Sequence, residues 1–203
     1  MEILRQQFLR HIGQTSPSPM LVEVARAEGV CFFTPEGKRY YDIIAGVSVS
    51  NVGHGNPAVT EAVCRQARDY MHVMVYGELV ERPQVRYAAR IAEYLPVPLD
   101  AVYFVNSGAE AVEGALKLAK RFTGRRRMVA CRNAYHGSTH GAMSVMESRE
   151  FSDAHGPMLP GVDWIRFNEP EDLGRITEET ACVLVEPVQG EAGVRIPQEG
   201  YLE

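Results

Sequence analysis

The stretch from Val102 to Lys120 constrains the fold most, because its pattern changes from that of a strand to that of a helix within a few residues. Residues 102–105 form a short apolar run with β-branched and aromatic side chains, typical of an interior strand of an α/β sheet. Apolar residues then recur at helical spacing (Val112, Ala115, Leu116 and Ala119), which predicts a helix over about 109–121. Gly124 lies where such a helix should end. The stretch therefore predicts a buried strand, a tight turn and a helix.

The turn itself has two interpretations. Ser107 and Gly108 lie at the predicted helix N-terminus, where unpaired N–H groups and the positive end of the helix dipole favour an anion such as a phosphate. Asn106 or Ser107 could equally be a simple helix cap, which is the commoner role of such residues before a helix. The turn alone leaves both open.

Two later stretches repeat the pattern of an apolar strand followed by polar residues. Residues 128–131 run into a loop with Tyr135 and His136, and residues 181–185 run into a loop with Glu186 and Gln189. Open α/β sheets bind ligands beyond the carboxyl ends of their parallel strands. The three loops are therefore expected to face one crevice.

These motifs resemble the class III (fold type I) aminotransferases, which use pyridoxal 5′-phosphate. The resemblance rests on the stretches 106–111 (NSGAEA), 135–137 (YHG) and 186–190 (EPVQG), and on an N-terminal pattern of 37–42 (GKRYYD), Gly46, Gly53, His54 and Pro57. It implies an α/β fold: the N-terminal part of the fold type I large domain, with a mainly parallel sheet and flanking helices, plus a small N-terminal α+β segment. The implied division is 1–56 for the segment that contributes to the small domain and 57–203 for an incomplete cofactor-binding large domain.

The resemblance also implies roles for individual residues. The expected cofactor-binding residues are Ser107, Gly108 and Ala109 at the phosphate, Tyr135 stacked on the pyridine ring, His136 and Gly137 in the adjoining wall, and Gln189 near the phenolic oxygen. Glu186 resembles a carboxylate that controls a substrate-binding arginine. Taken singly, Tyr135 could be an ordinary half-buried aromatic residue, His136 a hydrogen-bonded loop residue, and Glu186 the end of a strand before proline. Their joint occurrence favours a site.

Family chemistry requires a Schiff-base lysine, and this requirement is unmet in the sequence. The chain contains only Lys38, Lys117 and Lys120, and none matches the family's lysine motif. The aspartate that pairs with the pyridinium nitrogen is also missing. We therefore expect both residues to lie beyond the chain end, with no catalytic residue in this fragment and no activity from the fragment alone.

The expected reaction is transfer of an amino group from an amino acid or amine to a 2-oxo acid. In acetylornithine- and ornithine-type relatives an arginine commonly follows the His-Gly of this loop and binds the substrate α-carboxylate, whereas this chain has Ser138. The donor could then be an ω-amino acid or amine, or an arginine elsewhere could bind the carboxylate. Other hypotheses are a decarboxylase or aminomutase on the same scaffold, and a non-catalytic half-chain that binds a phosphorylated ligand or a complementary polypeptide.

Composition narrows the partners and the compartment. A net charge of −5 and a pI near 5.7 give no electrostatic reason to expect nucleic acid. No apolar run reaches membrane-spanning length, and the four cysteines are scattered without a C-x-x-C pair, which indicates reduced thiols and no metal site. We expect a cytoplasmic protein that forms a homodimer when complete, as the resemblance implies.

Overall fold

The computed structural model describes residues 2–74, 77–147 and 153–203. The chain divides into two compact units, Met1–Pro83 and Gln84–Glu203. These units do not test the predicted division at residue 57, which stays a prediction. None of the helices in the described ranges is long and apolar enough to cross a membrane.

The first unit contains an antiparallel sheet and helices. Its elements are α1 (Glu2–His11), β1 (Arg26–Glu28), β2 (Cys31–Phe33), β3 (Arg39–Tyr41), α2 (Ala45–Ser48) and α3 (Pro57–Asp69). Strands β2 and β3 form a hairpin and pair antiparallel, with Phe32 opposite Tyr40. The sequence interpretation missed β1, which pairs with β2 on its other side.

A single turn of unusual handedness, α2, follows the hairpin. Ala45, Gly46, Val47 and Ser48 all have positive φ, between 51° and 63°. The Asp42 carboxylate accepts a hydrogen bond from the Ala45 N–H at 2.9 Å. Such a conformation is costly for residues that carry a Cβ atom, so surrounding contacts must hold it.

The second unit contains the parallel sheet. Helix α4 (Arg82–Ala92) begins at the boundary, followed by α5 (Gly108–Thr123), β4 (Arg127–Cys131), α6 (His140–Ser144), β5 (Val162–Ile165), a 3₁₀ turn (Pro170–Arg175) and β6 (Thr180–Leu184). The strand order is β5-β4-β6, and both pairings are parallel. The prediction of a mainly parallel sheet with flanking helices is confirmed, although β5 was not foreseen.

The core of this unit lies on the two faces of the central strand β4. Val129 and Cys131 pack on one face with Ile165 and Phe167, and Met128 and Ala130 pack on the other with Leu116 and Val145. Because β4 is covered on both faces, it reads as a continuous apolar run, as interior parallel strands do.

One strand prediction was wrong. Residues 102–105 form no strand, and within the described parts of the chain no backbone hydrogen bond joins them to the sheet. The Tyr103 side chain is 80% exposed. The segment has the residue types that favour a strand, but a strand also needs a hydrogen-bonded neighbour. The sheet of β5, β4 and β6 does not extend to this segment.

Candidate active site

The N-terminus of α5 presents free backbone donors. Ser107 is the N-cap in extended conformation, and its Oγ accepts a hydrogen bond from the Glu110 N–H at 3.1 Å. The Glu110 carboxylate reaches back to accept from the Asn106 N–H at 2.7 Å. No acceptor for the Gly108 and Ala109 N–H groups is found among the residues that the structure describes. The turn is thus a cap that still presents two donors to an anion.

The loop after β4 approaches this helix end closely at Gly137. A Cβ atom at position 137 would lie 2.6 Å from the Ala109 Cβ and 2.9 Å from the Ala109 Cα. Gly137 also has φ of +116°, a conformation that side chains rarely allow. Only glycine therefore lets the Tyr135 loop lie against the N-terminus of α5.

Glu186 connects the loops that follow β4 and β6. Its Oε1 accepts a hydrogen bond from the Tyr135 N–H at 2.7 Å, and its Oε2 accepts from the Gly190 N–H at 3.0 Å. Charge-assisted bonds of this kind are stronger than neutral ones. Glu186 therefore holds the N-terminal end of the Tyr135 loop.

Gln189 is fully buried beneath the same loop. Its Nε2 donates to the Arg132 carbonyl oxygen at 2.8 Å, and its backbone pairs with Arg195 in an isolated bridge. The Gln189 Oε1 is buried without a protein partner in the described parts of the chain. Since an unpaired buried polar atom is costly, this oxygen is suited to a ligand donor.

His136 is also buried, with 9% of its surface exposed, and its Nε2 lacks a partner within the described residues. Burial lowers the pKa of the imidazole, and the nearby Glu186 only partly opposes this effect. The imidazole is therefore neutral near pH 7.

Tyr135 is 46% exposed, and its hydroxyl lies 3.2 Å from the Ser138 Oγ. The ring thus has an accessible face, and the serine holds its outer edge. An exposed aromatic ring with a fixed edge can stack on a flat ligand.

The structure brings together the three predicted loops. Ala109 meets Gly137, Tyr135 meets Glu186 and Ser138, and Gln189 meets the strand end at Arg132. The sequence did not predict that the side chains of Glu113 and Thr139 are hydrogen-bonded to each other at 2.7 Å. The only sequence signal for this pair was the place of Glu113 on the predicted helix.

Comparison with known proteins identifies the family. The family model for aminotransferase class-III matches residues 12–203. The chain belongs to the class-III aminotransferases. Their fold type I architecture is the one described above, and class-III aminotransferases use pyridoxal phosphate.

Curated relatives in this family include two archaeal acetylornithine aminotransferases. The one from Methanopyrus kandleri is 41% identical over 195 residues, covering 95% of this chain and 49% of the relative. The one from Archaeoglobus fulgidus is 40% identical over 186 residues, covering 91% and 48%. The chain thus spans about half the length of the curated class-III aminotransferases that it matches.

The chain is also similar to solved transaminase structures, of which it covers about half the length. The ornithine aminotransferase of Toxoplasma gondii has a TM-score of 0.85 at 31% identity, covering 99% of this chain and 48% of that one. An (S)-enantioselective ω-transaminase from Thermomicrobium roseum has a TM-score of 0.84 at 31% identity, covering 98% and 52%. The T. gondii structure has pyridoxal phosphate at partial occupancy in its active site.

The residues of this chain fit such a cofactor. Pyridoxal phosphate has an anionic group, a flat ring and a phenolic oxygen. The N-terminus of α5 has free N–H donors, Gly137 leaves room where a Cβ atom would collide, and the buried Gln189 Oε1 lacks a partner in the described part of the chain.

Proposed function

We propose that this chain binds pyridoxal phosphate and forms part of a transaminase that moves an amino group from an amino acid or amine to a 2-oxo acid. The observation that carries the proposal is the close approach of Gly137 to Ala109. It brings a helix N-terminus suited to a phosphate beside the loop of an exposed tyrosine ring suited to a heteroaromatic ligand. Family membership supports the same assignment.

In this proposal each residue contacts one part of the cofactor. Ser107, Gly108 and Ala109 bind the phosphate through the Ser107 hydroxyl and the free N–H groups. Tyr135 stacks on the ring, and the Gln189 Oε1 accepts a hydrogen bond from the phenolic hydroxyl. His136 and Gly137 complete the wall, with the neutral imidazole adding no charge. The bound cofactor would supply an electron sink for the substrate carbon that loses a proton.

The substrate side is formed by Ser138 and Glu186. Ser138 offers a hydroxyl where acetylornithine-type relatives commonly have an arginine, which supports an ω-amino acid or an amine as the donor. Each Glu186 oxygen accepts one backbone hydrogen bond and keeps a second lone-pair site, so the carboxylate could hold these two contacts and still pair with an arginine.

The chain's own lysines do not support the complete reaction. The three lysines, Lys38, Lys117 and Lys120, match no lysine motif of the family. None of them lies in the three loops of the site. We therefore propose that these 203 residues bind the cofactor without transaminating. We also propose that the protein is a homodimer in the cytoplasm, to be tested by sedimentation of the native protein and by cell fractionation.

The binding test uses 4-deoxypyridoxine 5′-phosphate, which lacks the aldehyde and so cannot condense with surface lysines. Equilibrium dialysis against the 203-residue chain should give saturable binding that inorganic phosphate competes away. Absence of saturable binding to a chain with a cooperative thermal transition would refute the cofactor assignment. Binding that excess phosphate does not displace would refute the phosphate site at α5.

The reaction test uses the native protein, purified from source cells with an antibody raised against this chain. It is assayed with α-amino acid, ω-amino acid and amine donors and a 2-oxo acid acceptor. Faster turnover of the ω-amino acid or amine supports the Ser138 assignment. Loss of carbon dioxide from the donor would instead support a decarboxylase, and inactivity with cofactor bound would support a non-catalytic protein.

A further inference from the structure

Glu113 on α5 has contacts that the proposed function does not account for. Its Oε1 accepts hydrogen bonds from the Thr139 hydroxyl at 2.7 Å, the Gly141 N–H at 2.8 Å and the Ala142 N–H at 3.2 Å. These donors lie at the start of α6, directly after the Tyr135 loop. The carboxylate therefore joins the cofactor helix to the C-terminal end of that loop.

The Tyr135 loop is consequently held at three points. Glu186 holds its first residue through the Tyr135 N–H, Gly137 rests on Ala109 at its centre, and Glu113 holds its end through Thr139. Two of these three points, Ala109 and Glu113, lie on α5. The position of the ring relative to the phosphate end of α5 therefore depends on the contact at Glu113.

The electrostatics of Glu113 suit this task. Burial acts to raise the pKa of the carboxyl group, but the hydrogen bonds from Thr139, Gly141 and Ala142, with help from the charge of Lys117, outweigh burial and lower it. The group is thus ionised at neutral pH and makes charge-assisted hydrogen bonds, which are stronger and geometrically more restrictive than neutral ones.

The backbone opposite Glu113 leaves room for the carboxylate. A Cβ atom on Gly141 would lie 2.2 Å from the Glu113 Oε2 and 2.7 Å from its carboxyl carbon. Gly141 has no positive φ, so a Cβ atom there would displace the Glu113 carboxylate without straining the backbone. The fit between Glu113 and Gly141 is therefore part of the same contact between α5 and the end of the loop.

We infer that Glu113 is a positioning residue, which sets the distance between the Tyr135 ring and the phosphate-binding end of α5 and so determines affinity for the ring of the cofactor. The inference rests on the proposed function. A carboxylate that served only to cap α6 would leave ring recognition unchanged. The positioning role therefore predicts that loss of Glu113 weakens binding of a ligand that has the ring, whereas the capping role predicts no such selective loss.

The test compares 4-deoxypyridoxine 5′-phosphate with inorganic phosphate on the 203-residue chain and its variants. Glu113→Ala should weaken binding of the analogue about tenfold and change phosphate affinity less than about twofold. Glu113→Gln keeps the shape and one acceptor oxygen, so it should recover part of the loss. Glu199→Gln, an exposed glutamate in the same unit, is the matched control and should bind both ligands as the parent does.

A double-mutant cycle keeps the inference falsifiable if one variant is unstable. Gly141→Ala should weaken analogue binding by displacing the carboxylate, and Glu113→Ala/Gly141→Ala should be no weaker than Glu113→Ala alone. Additive losses, unchanged analogue affinity in Glu113→Ala, or equal losses for analogue and phosphate would overturn the inference. If the parent binds neither ligand, the proposed function fails, which is a distinct result.

Discussion

The buried amide of Gln189 donates a hydrogen bond to the carbonyl oxygen of Arg132, which lies 57 residues earlier in the chain. Gln189→Leu would leave that carbonyl without its donor in a partly buried setting. We expect a loss of about 1–3 kcal/mol in the free energy of unfolding, measured by urea denaturation. Gln198→Leu, at an exposed glutamine, is the control and should change stability little. Equal stability of Gln189→Leu and the parent would contradict the bond.

Gly137→Ala should destroy the contact between the Tyr135 loop and α5. The new Cβ would collide with Ala109 and would also sit at an unfavourable φ, so the loop must move. We expect analogue affinity to fall at least about tenfold and the unfolding free energy to fall by about 2 kcal/mol. Gly174→Ala, whose Cβ would meet nothing within 4 Å, should match the parent in dialysis.

Substitutions at Ser107 should separate helix capping from ligand binding. Ser107→Ala should cost about 1 kcal/mol of stability, whereas Ser107→Gly should cost only a few tenths. Both remove the hydroxyl, so both should weaken binding of 4-deoxypyridoxine phosphate in dialysis. Asn56→Ala removes a different cap, where Asn56 accepts from the Ala58 N–H at 3.0 Å, and should reduce stability without changing ligand affinity. A Ser107→Gly chain with parental affinity would argue against a hydroxyl contact.

Asp172 should contribute an acid-sensitive part of the stability. Hydrogen bonds from the Arg166 side chain and backbone hold the pKa of its carboxyl group far below the usual value of about 3.9. Because the folded-state pKa is the lower one, the stabilisation is complete above about pH 4 and is lost as the pH falls further.

We therefore expect Asp172→Asn to lower the free energy of unfolding at pH 6. The gap, meaning the difference in unfolding free energy between the variant and the parent, should shrink as the pH falls from about 4 towards 2. Urea unfolding at stepped pH values measures the gap. The exposed Asp100→Asn is the control. A gap that stays constant from pH 6 to pH 2 would show that ionisation of Asp172 does not stabilise the fold.

The elements with strong local patterns could be predicted from the sequence. Helix α5 was expected at about 109–121 and spans Gly108–Thr123, because its periodicity and its end at Gly124 are encoded in neighbouring residues. Strands β4 and β6 were predicted because each is a short apolar run of neighbouring residues. Strand β5 was missed because Val162–Ile165 is short and interrupted by Asp163. The run at 102–105 has strand propensity, but whether it pairs depends on the rest of the sheet.

The sequence suggested candidate site residues, which stay a prediction, but did not indicate the contacts between them. Ser107, Tyr135, Glu186 and Gln189 were recognised by their motifs, yet nothing local indicates that Glu186 holds the Tyr135 N–H. The ties of Glu113 to Thr139 and of Gln189 to Arg132 join residues 26 and 57 positions apart. Such pairs follow from the packing of α5 and the parallel sheet, which no local pattern specifies.

The hydroxyl of Ser107 shows that the two interpretations of its turn do not compete. Its oxygen accepts a hydrogen bond from the Glu110 N–H at 3.1 Å. The hydroxyl proton can still be donated to another acceptor. That proton can point outward, in the same direction as the free N–H groups of the first helical turn. One hydroxyl group can therefore cap the helix and donate to an anion at the same time.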